Sequence, residues 1–319
     1  MAGVWILAEN RNQTLELLSV AAGLAEKLGT QVAAFLGGDP QLAQEYISCG
    51  ADEVLILPPL AEDQPQEAYI PIIVEEARQG DPDIFLIAAT LRGKEMAARI
   101  AARLNTGLCS GCTALQLEPT GEKLEMERLV FGGAAVQTVT CLTRPQMATI
   151  APRTFAAAAP VAGRKGQVKE LAPPPPGLVK VLERKPKVRQ SGDINEAKVL
   201  VCVGRGIEKE EDMALARGLA EVIGGELACT RPIAEEFHWL PEETYIGLSG
   251  QKVKPDIYIG IGISGQIQHV TGIRDARFIS AINRDENAEI FNMSDCGIVG
   301  DLYAVLPELT RELKQALKK

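Results

Sequence analysis

The sequence predicts an α/β protein of two domains, each with a mainly parallel sheet flanked by helices. Its length of 319 residues suits two domains of the usual size, about 100–200 residues each. Short aliphatic runs alternate with amphipathic stretches in both halves of the chain, which is typical of parallel strands joined by helices. A proline-rich segment near the middle interrupts this alternation and marks the expected domain boundary.

The first half of the chain predicts four strands with helices between them. We expect strands at residues 4–8, 31–36, 53–57 and 84–89, and helices at residues 12–28, 67–78 and 94–104. In the first helix, Leu15, Leu18 and Ala22 recur at spacings of three and four, and Gly29 is placed to end it. The apolar runs between residues 112 and 150 are less regular and predict two or three further strands.

The proline-rich segment predicts where one domain ends. Residues 173–176 are all proline and cannot enter a helix interior or a central strand, so the chain there should be extended. One option is an edge strand at residues 178–182, which would put the hinge near Gly192. The predicted domains are residues 1–190, including the linker, and residues 191–319.

The second half of the chain repeats the α/β alternation. Strands are expected at residues 198–203, 226–229, 257–263 and 278–282, and helices at residues 208–223 and 302–317, the last interrupted or begun at Pro307. Glycines and small polar residues concentrate just after these strands. Because ligands of open parallel sheets bind at the carboxyl ends of the strands, this edge is the candidate binding site.

Composition excludes several classes of partner. The charged residues are 33 Lys and Arg against 42 Asp and Glu, a net charge of −9, which is the wrong sign for binding nucleic acid or anionic lipid. The longest uncharged run, residues 257–273, is shorter than the roughly 20 apolar residues of a spanning helix. We therefore expect no nucleic-acid partner and no transmembrane segment.

The N-terminal residues and the cysteines suggest a cytoplasmic location. The first residues show no basic leader followed by a long apolar region, so no secretory signal is expected. Seven cysteines are scattered along the chain, unlike the dense framework of small secreted domains. Reduced thiols are the expected state.

Three glycine-rich loops follow strands of the second half. They are Gly204-Arg205-Gly206, residues 247–250 and residues 260–269. Backbone N–H groups in such turns, helped by a helix beginning near Gly265, would suit a pyrophosphate. The alternative for the first loop is a plain tight turn, since it lacks the rest of a dinucleotide fingerprint.

Several side chains at the same edge have both a binding and a structural interpretation. His269 follows the third loop and is either a ligand contact or a hydrogen-bonded structural residue. Arg231 follows a strand and is either a ligand cation or part of a surface salt bridge. Asn283 and Asp285 could bind ribose or adenine edges, and Asp301 could do so or simply begin the last helix.

No metal site or hydrolytic triad is expected. Cys109 and Cys112 have the spacing of a redox or zinc pair, but no second pair or nearby histidine accompanies them. A thiol redox function of this pair is the least favoured alternative.

The motifs of the second half, taken in order, resemble the electron-transfer flavoprotein alpha subunit (FixB) family. They are residues 204–206, 230–232, 246–250, 254–269, 281–285 and 297–301, and residues 93–107, 131–133 and 144–149 extend the resemblance to the first domain. The resemblance implies a nucleotide-hydrolase-like first domain that contacts a beta subunit. It also implies a second domain that binds FAD and resembles the central domain of thiamine enzymes.

The resemblance also implies which residues contact FAD. Arg231 would face the isoalloxazine and favour the reduced, negatively charged flavin, Ser249 would lie near N5, and His269 near the pyrimidine carbonyl. Residues 264–268 would hold the pyrophosphate, and Asn283 and Asp301 the adenosine end. Many family members carry glutamine at the position of Leu248. The full implied set is Arg205, Thr230, Arg231, Ile246, Gly247, Leu248, Ser249, Ser264, Gly265, Gln266, Ile267, Gln268, His269, Asn283, Asp301 and Leu302.

The leading hypothesis is therefore an FAD-binding electron carrier without substrate chemistry of its own. Its implied partners are an obligate beta subunit, an acyl-CoA or other flavin dehydrogenase, and an acceptor such as a ferredoxin or a quinone reductase. The first alternative is an NADH-dependent electron-bifurcating complex with an acyl-CoA or hydroxyacid dehydrogenase. The second is a module that binds an adenine nucleotide without moving electrons.

Overall fold

The computed structural model describes residues 3–121, 123–175, 177–185 and 193–317. The chain divides into two compact units, with the division between residues 185 and 186. The predicted domain boundary at residues 190 and 191 and the predicted hinge near Gly192 lie outside the described residues.

The first unit is built on a nine-stranded sheet. Its order is β7-β6-β5-β8-β4-β1-β2-β3-β9, and every neighbouring pair is parallel except β5–β6 and β6–β7. The strands are β1 Gly3–Leu7, β2 Gln31–Leu36, β3 Glu53–Ile56, β4 Ile84–Ala88, β5 Leu108–Leu117, β6 Leu124–Val130, β7 Ala135–Val139, β8 Gln146–Ile150 and β9 Gln167–Glu170.

Helices cover both faces of this sheet. They are α1 Arg11–Leu28, α2 Leu42–Ser48, α3 Ile70–Gly80 and α4 Leu91–Leu104. Residues of α1 and α2 share one apolar core with one face of the strands, and residues of α3 and α4 share the other. In the second core, Trp5, Phe35 and Phe85 form an aromatic cluster with ring centroids 5.6–6.3 Å apart. The buried strand residues therefore alternate between the two cores.

Local signals fix both ends of α1, and its C-terminal end at Gly29 is the one that the sequence predicts. The side chain of Asn10 accepts a hydrogen bond from the Gln13 backbone N–H at 3.0 Å, which caps the first turn. Gly29 ends the helix in the left-handed conformation, with φ of 63°. The α/β class and the four leading strands are confirmed.

Two expectations for the first unit are wrong. Residues 108–150 contain four strands, β5 to β8, rather than two or three. The edge strand lies at β9 rather than at residues 178–182, where the Val181 N–H donates to the Asp63 carbonyl at 2.7 Å. Because all four residues of β9 are exposed, its pairing with β3 depends on main-chain hydrogen bonds and leaves no hydrophobic pattern in the sequence.

The second unit contains a five-stranded, fully parallel sheet of order β11-β10-β12-β13-β14. Its strands are β10 Val199–Val203, β11 Glu226–Cys229, β12 Ile257–Ile261, β13 Ile279–Asn283 and β14 Cys296–Val299. Its helices are α5 Met213–Ile223, α6 Ile267–Val270 and α7 Leu302–Ala316, and α7 contains Pro307 in its interior.

Three features of the second unit differ from the prediction made from the sequence. The edge strand β14 was not predicted because it is short and mostly exposed. The helix expected from residue 208 begins at Met213, after a 3-10 turn over Glu210–Asp212. The helix expected near Gly265 has only four residues, so it contributes little helix dipole.

Two helical glycines provide a matched test of the packing of the first unit. A Cβ atom on Gly93, in α4, would lie 2.0 Å from the backbone oxygen of Ala88, at the end of β4, so Gly93→Ala should destabilise the fold by about 1–3 kcal/mol. A Cβ atom on Gly23, in α1, meets nothing within 4 Å, so Gly23→Ala should stabilise the fold by about 0.5–1 kcal/mol. Urea denaturation of both variants measures the difference, and equal effects would contradict the close contact between α4 and β4.

Candidate functional site

The loops rich in glycine meet at the carboxyl edge of the second sheet. β10 is the first strand of this unit along the chain, and its two neighbours, β11 and β12, lie on opposite sides of it. The chain direction across the sheet therefore reverses at β10, and a crevice opens outside the carboxyl ends of β10 and β12. This crevice is the site that the topology favours for a ligand.

Backbone contact between two loops forms the floor of the crevice. The Gly206 N–H donates to the Gly262 carbonyl at 3.0 Å, and a Cβ atom on Gly206 would lie 2.5 Å from the Gly262 Cα. Gly262 has φ of 62°, which favours glycine. The loops after β10 and β12 thus require glycine for close packing, as the tight-turn alternative proposed, and they leave Arg205 exposed at the tip.

The loop after β12 presents a row of free N–H groups. Among the described residues, no protein acceptor takes a hydrogen bond from the backbone N–H groups of residues 264–268. Gly265 holds the loop in place because it has φ of 87° and because any Cβ atom there would lie 2.0 Å from the Ile290 nitrogen. Since α6 is so short, these N–H groups, rather than a helix dipole, are what the loop offers an anion.

The structure brings another predicted loop, residues 246–249, against the segment that follows β12. The Leu248 N–H donates to the Gln268 carbonyl at 2.7 Å. A Cβ atom on Gly272 would lie 2.7 Å from the Gly247 nitrogen, so the two segments touch through their backbones. The side chains of Leu248 and Ser249 remain exposed on this loop.

His269 connects the same two loops from inside the protein. Its Nδ1 lies 3.0 Å from the Ile246 carbonyl oxygen, to which it donates, so its Nε2 accepts a hydrogen bond from the Tyr258 hydroxyl at 2.7 Å. Burial lowers the pKa of His269 to about 4, so the ring is neutral near pH 7. Both ring nitrogens have protein partners, which fits the structural alternative, and the implied contact with the flavin stays a prediction.

Arg231 lies at the carboxyl end of β11 and is paired with a carboxylate of its own chain. Its Nε lies 2.5 Å from Oε2 of Glu235, four residues further along a short π-helical turn, Pro232–Glu236. The hydrogen bond and charge of Glu235 raise the pKa of Arg231. The Arg231 side chain is 64% exposed, so it is available to a ligand.

A cavity of about 350 Å³ lies at the other end of the crevice. It is lined by the predicted residues Asn283, Asp301 and Leu302 and by Glu208, Arg284 and Tyr303, which the sequence reasoning missed. Asp301 caps α7 by accepting from the Tyr303 N–H at 3.0 Å, and the Asn283 amide donates to the Ile263 carbonyl at 2.8 Å. Both residues therefore have a structural role and also line the cavity.

Cys109 and Cys112 lie close together in the first unit. A bulge in β5 puts both side chains in the same buried core. The described residues contain no group of three or more His, Cys, Asp or Glu side chains that could hold a metal ion. The Cys112 thiol, which lies 3.6 Å from the Cys109 carbonyl oxygen, lowers the pKa of the Cys109 thiol by hydrogen bonding.

The buried histidine predicts a pH dependence of stability. An unfolded histidine has a pKa near 6.5, so between about pH 6.5 and pH 4 the unfolded chain binds a proton that folded His269 does not. The free energy of unfolding should therefore fall by on the order of 3 kcal/mol as the pH drops from 7 to 4. Denaturation across this range should show that His269→Gln lacks this component and that His238→Asn, at an exposed histidine, retains it. Identical slopes for the two variants would contradict the buried, neutral state.

Comparison with known proteins identifies the family. The sequence model described as the electron transfer flavoprotein domain matches residues 4–176, and the electron transfer flavoprotein FAD-binding domain matches residues 193–274. The chain is 38% identical to Protein FixB of Clostridium saccharobutylicum over 325 aligned positions, covering 99% of this chain and 97% of the relative. It is 36% identical to Protein FixB of Escherichia coli O127:H6, covering 97% of each chain.

A third relative is named for its place in a complex. The chain is 36% identical to the electron transfer flavoprotein subunit alpha of Clostridium acetobutylicum, covering 98% of this chain and 97% of the relative. Within the part of the chain that the structure describes, no helix is both long and apolar enough to cross a membrane. The protein thus belongs to the electron transfer flavoprotein alpha subunit family, whose second domain binds FAD.

Proposed function

We propose that FAD lies along the carboxyl edge of the second sheet and that the chain carries electrons between a dehydrogenase and an acceptor. The observation that supports this placement best is the row of free N–H groups at residues 264–268, held over the crevice by Gly265. Such a row suits the pyrophosphate of a dinucleotide. The residues at the two ends of this row differ in chemistry from each other, and so do the adenosine and isoalloxazine halves of FAD.

The cavity beside β13 and α7 suits the adenosine half. Its size falls within the usual range of small-molecule sites, about 300–1,000 Å³. The carboxylates of Glu208 and Asp301 can accept hydrogen bonds from ribose hydroxyls, and the Asn283 amide lies on the same wall. We therefore assign this end of the crevice to the ribose and adenine.

The loop of residues 246–249 and Arg231 suit the isoalloxazine half. FAD supplies the electron-transfer chemistry when it is bound, and the chain supplies positioning and electrostatics. The Arg231 guanidinium would attract negative charge on the ring, while the Glu235 carboxylate would offset part of that attraction. Leu248 and Ser249 are exposed on the loop that faces this side.

The proposed working unit is a heterodimer with a beta subunit, because the family implies one. A flavin-containing dehydrogenase, such as an acyl-CoA dehydrogenase, would supply electrons, and a ferredoxin or quinone reductase would accept them. All seven cysteines are free thiols in the structure, which agrees with a cytoplasmic location.

A visible spectrum of the chain co-expressed with its beta subunit, followed by nucleotide extraction and anaerobic NADH titration, tests the function. We expect a yellow complex that contains FAD. One FAD and one AMP per heterodimer, reduced by a dehydrogenase but not by NADH, would identify a simple carrier. Two FAD per heterodimer, bleached by NADH, would identify a bifurcating complex. A colourless complex that takes up no added FAD would contradict the proposal.

The ion pair of Arg231 predicts opposite shifts in the flavin potential. Arg231→Gln removes the cation and should lower the flavin potential. Glu235→Gln leaves the cation unneutralised and should raise the potential. Each variant should change the free energy of flavin reduction by on the order of 1 kcal/mol. Anaerobic redox titration of the FAD-loaded heterodimer measures both shifts. Glu236→Gln is the matched control, because exposed Glu236 acts on Arg231 by charge alone and forms no ion pair with it within the described residues, so its shift should be smaller than that of Glu235→Gln. Shifts of the same sign for Arg231→Gln and Glu235→Gln would contradict the assignment.

A further inference from the structure

A buried tyrosine hydroxyl meets Ser249 from beneath its loop. Tyr245 is only 6% exposed as a residue, and its hydroxyl is hydrogen-bonded to Ser249 Oγ. Either oxygen can act as the donor. Ser249 is one of the implied flavin contacts, whereas the resemblance assigns no role to Tyr245.

The position of Tyr245 is fixed by its backbone and by its ring. The Tyr245 N–H donates to the Glu242 carbonyl at 3.2 Å, and the Tyr245 carbonyl accepts from the Gln251 N–H at 2.9 Å. A Cβ atom on Gly250 would lie 2.5 Å from Cε2 of the ring, and one on Gly247 would lie 3.4 Å from the same atom. The loop is thus folded directly over the ring, and the hydroxyl has a fixed place from which to hold Ser249.

We propose that Tyr245 is a positioning residue that acts on the cofactor through Ser249. This inference rests on the proposed function and adds a residue to its site. When Tyr245 donates to Ser249 Oγ, the serine O–H is free to donate outward. When Ser249 donates to Tyr245 Oη instead, the serine oxygen is free to accept from outside.

This reversal matches the two states of flavin N5. Oxidised N5 accepts a hydrogen bond, and reduced N5 carries a proton and donates one. The hydroxyl pair can serve both states because each oxygen keeps its own proton and only the direction of the bond between them changes. Tyr245 therefore lets Ser249 keep a full set of partners in either state.

Removing the tyrosine hydroxyl should disfavour the reduced state. Without the tyrosine hydroxyl, Ser249 can still donate to oxidised N5, and only a lone pair on the serine oxygen loses its partner. In the reduced state, Ser249 would accept from N5, and its own O–H would lose the fixed acceptor that the Tyr245 hydroxyl supplies and depend on solvent, which is the costlier change. An ordinary hydrogen bond corresponds to about a fivefold change in an equilibrium. We expect Tyr245→Phe to lower the reduced-to-oxidised ratio about fivefold at a fixed potential, or by about 20 mV for two electrons.

The experiment is a redox titration of the FAD-loaded heterodimer with four variants: Tyr245→Phe, Ser249→Ala, the double variant and Tyr69→Phe. Phe keeps the ring packing against Gly247 and Gly250, so the fold and FAD binding should be retained. Tyr69→Phe is the matched control, because it also removes a tyrosine hydroxyl, one that donates to the Pro58 carbonyl in the first unit.

The double variant separates positioning from packing. If Tyr245 acts through Ser249, Tyr245→Phe should shift the potential in the wild-type chain but not in the Ser249→Ala background. The same shift in both backgrounds, or none in either, would overturn the inference. Ser249→Ala alone should also lower the potential, and an unchanged potential there would overturn it without any change to the tyrosine. A heterodimer without FAD would instead overturn the proposed function.

Discussion

The backbone contact between Gly206 and Gly262 is the constraint on which the ligand edge of the second unit depends. It joins the loops that leave β10 and β12, the two strands at the point where the sheet order reverses. With any side chain at either position, the loops would have to separate, and residues 264–268 would lose their place over the crevice. Gly265 then fixes the far side of the same loop against the segment that contains Ile290. The site is therefore assembled mainly by backbone packing, and the side chains around it add selectivity.

Several side chains implied as cofactor contacts already have partners inside the protein. His269 joins residue 246 to Tyr258, Asn283 bonds to the carbonyl after β12, and Asp301 caps α7. Each of these bonds ties a loop of the crevice to a strand or a helix that cannot move freely. The binding and structural interpretations of such residues are therefore compatible, since a rigid loop is what a preorganised site requires.

The sequence predicts the α/β class, the leading strands and the neighbourhood of the site because those features leave periodic or glycine-rich patterns. It does not predict β9 or β14, since these edge strands are short and largely exposed and are held by main-chain pairing. Glu208 and Tyr303 were missed because they reach the cavity only through the packing of α7 beside the loop after β10. Tyr245 left one weak signal, its place just before a glycine-rich loop, but the hydrogen bond to Ser249 depends on how that loop folds over the ring.

The first unit has the same topological reversal but a different charge at its edge. Its order also reverses, at β1, so a crevice of the same kind opens between the carboxyl ends of β1 and β4. There, however, the carboxylate of Glu9 accepts a hydrogen bond from Thr90, the residue that caps α4. The same carboxylate lies 3.6 Å from the guanidinium of Arg92, in the first turn of α4. A negative charge of the chain itself thus lies at the helix end that would attract a phosphate, and repels any other anion from it. In the second unit, the loop over residues 262–269 has free N–H groups and contains no acidic side chain, so the two sheets differ at this edge in the charge that the chain itself supplies.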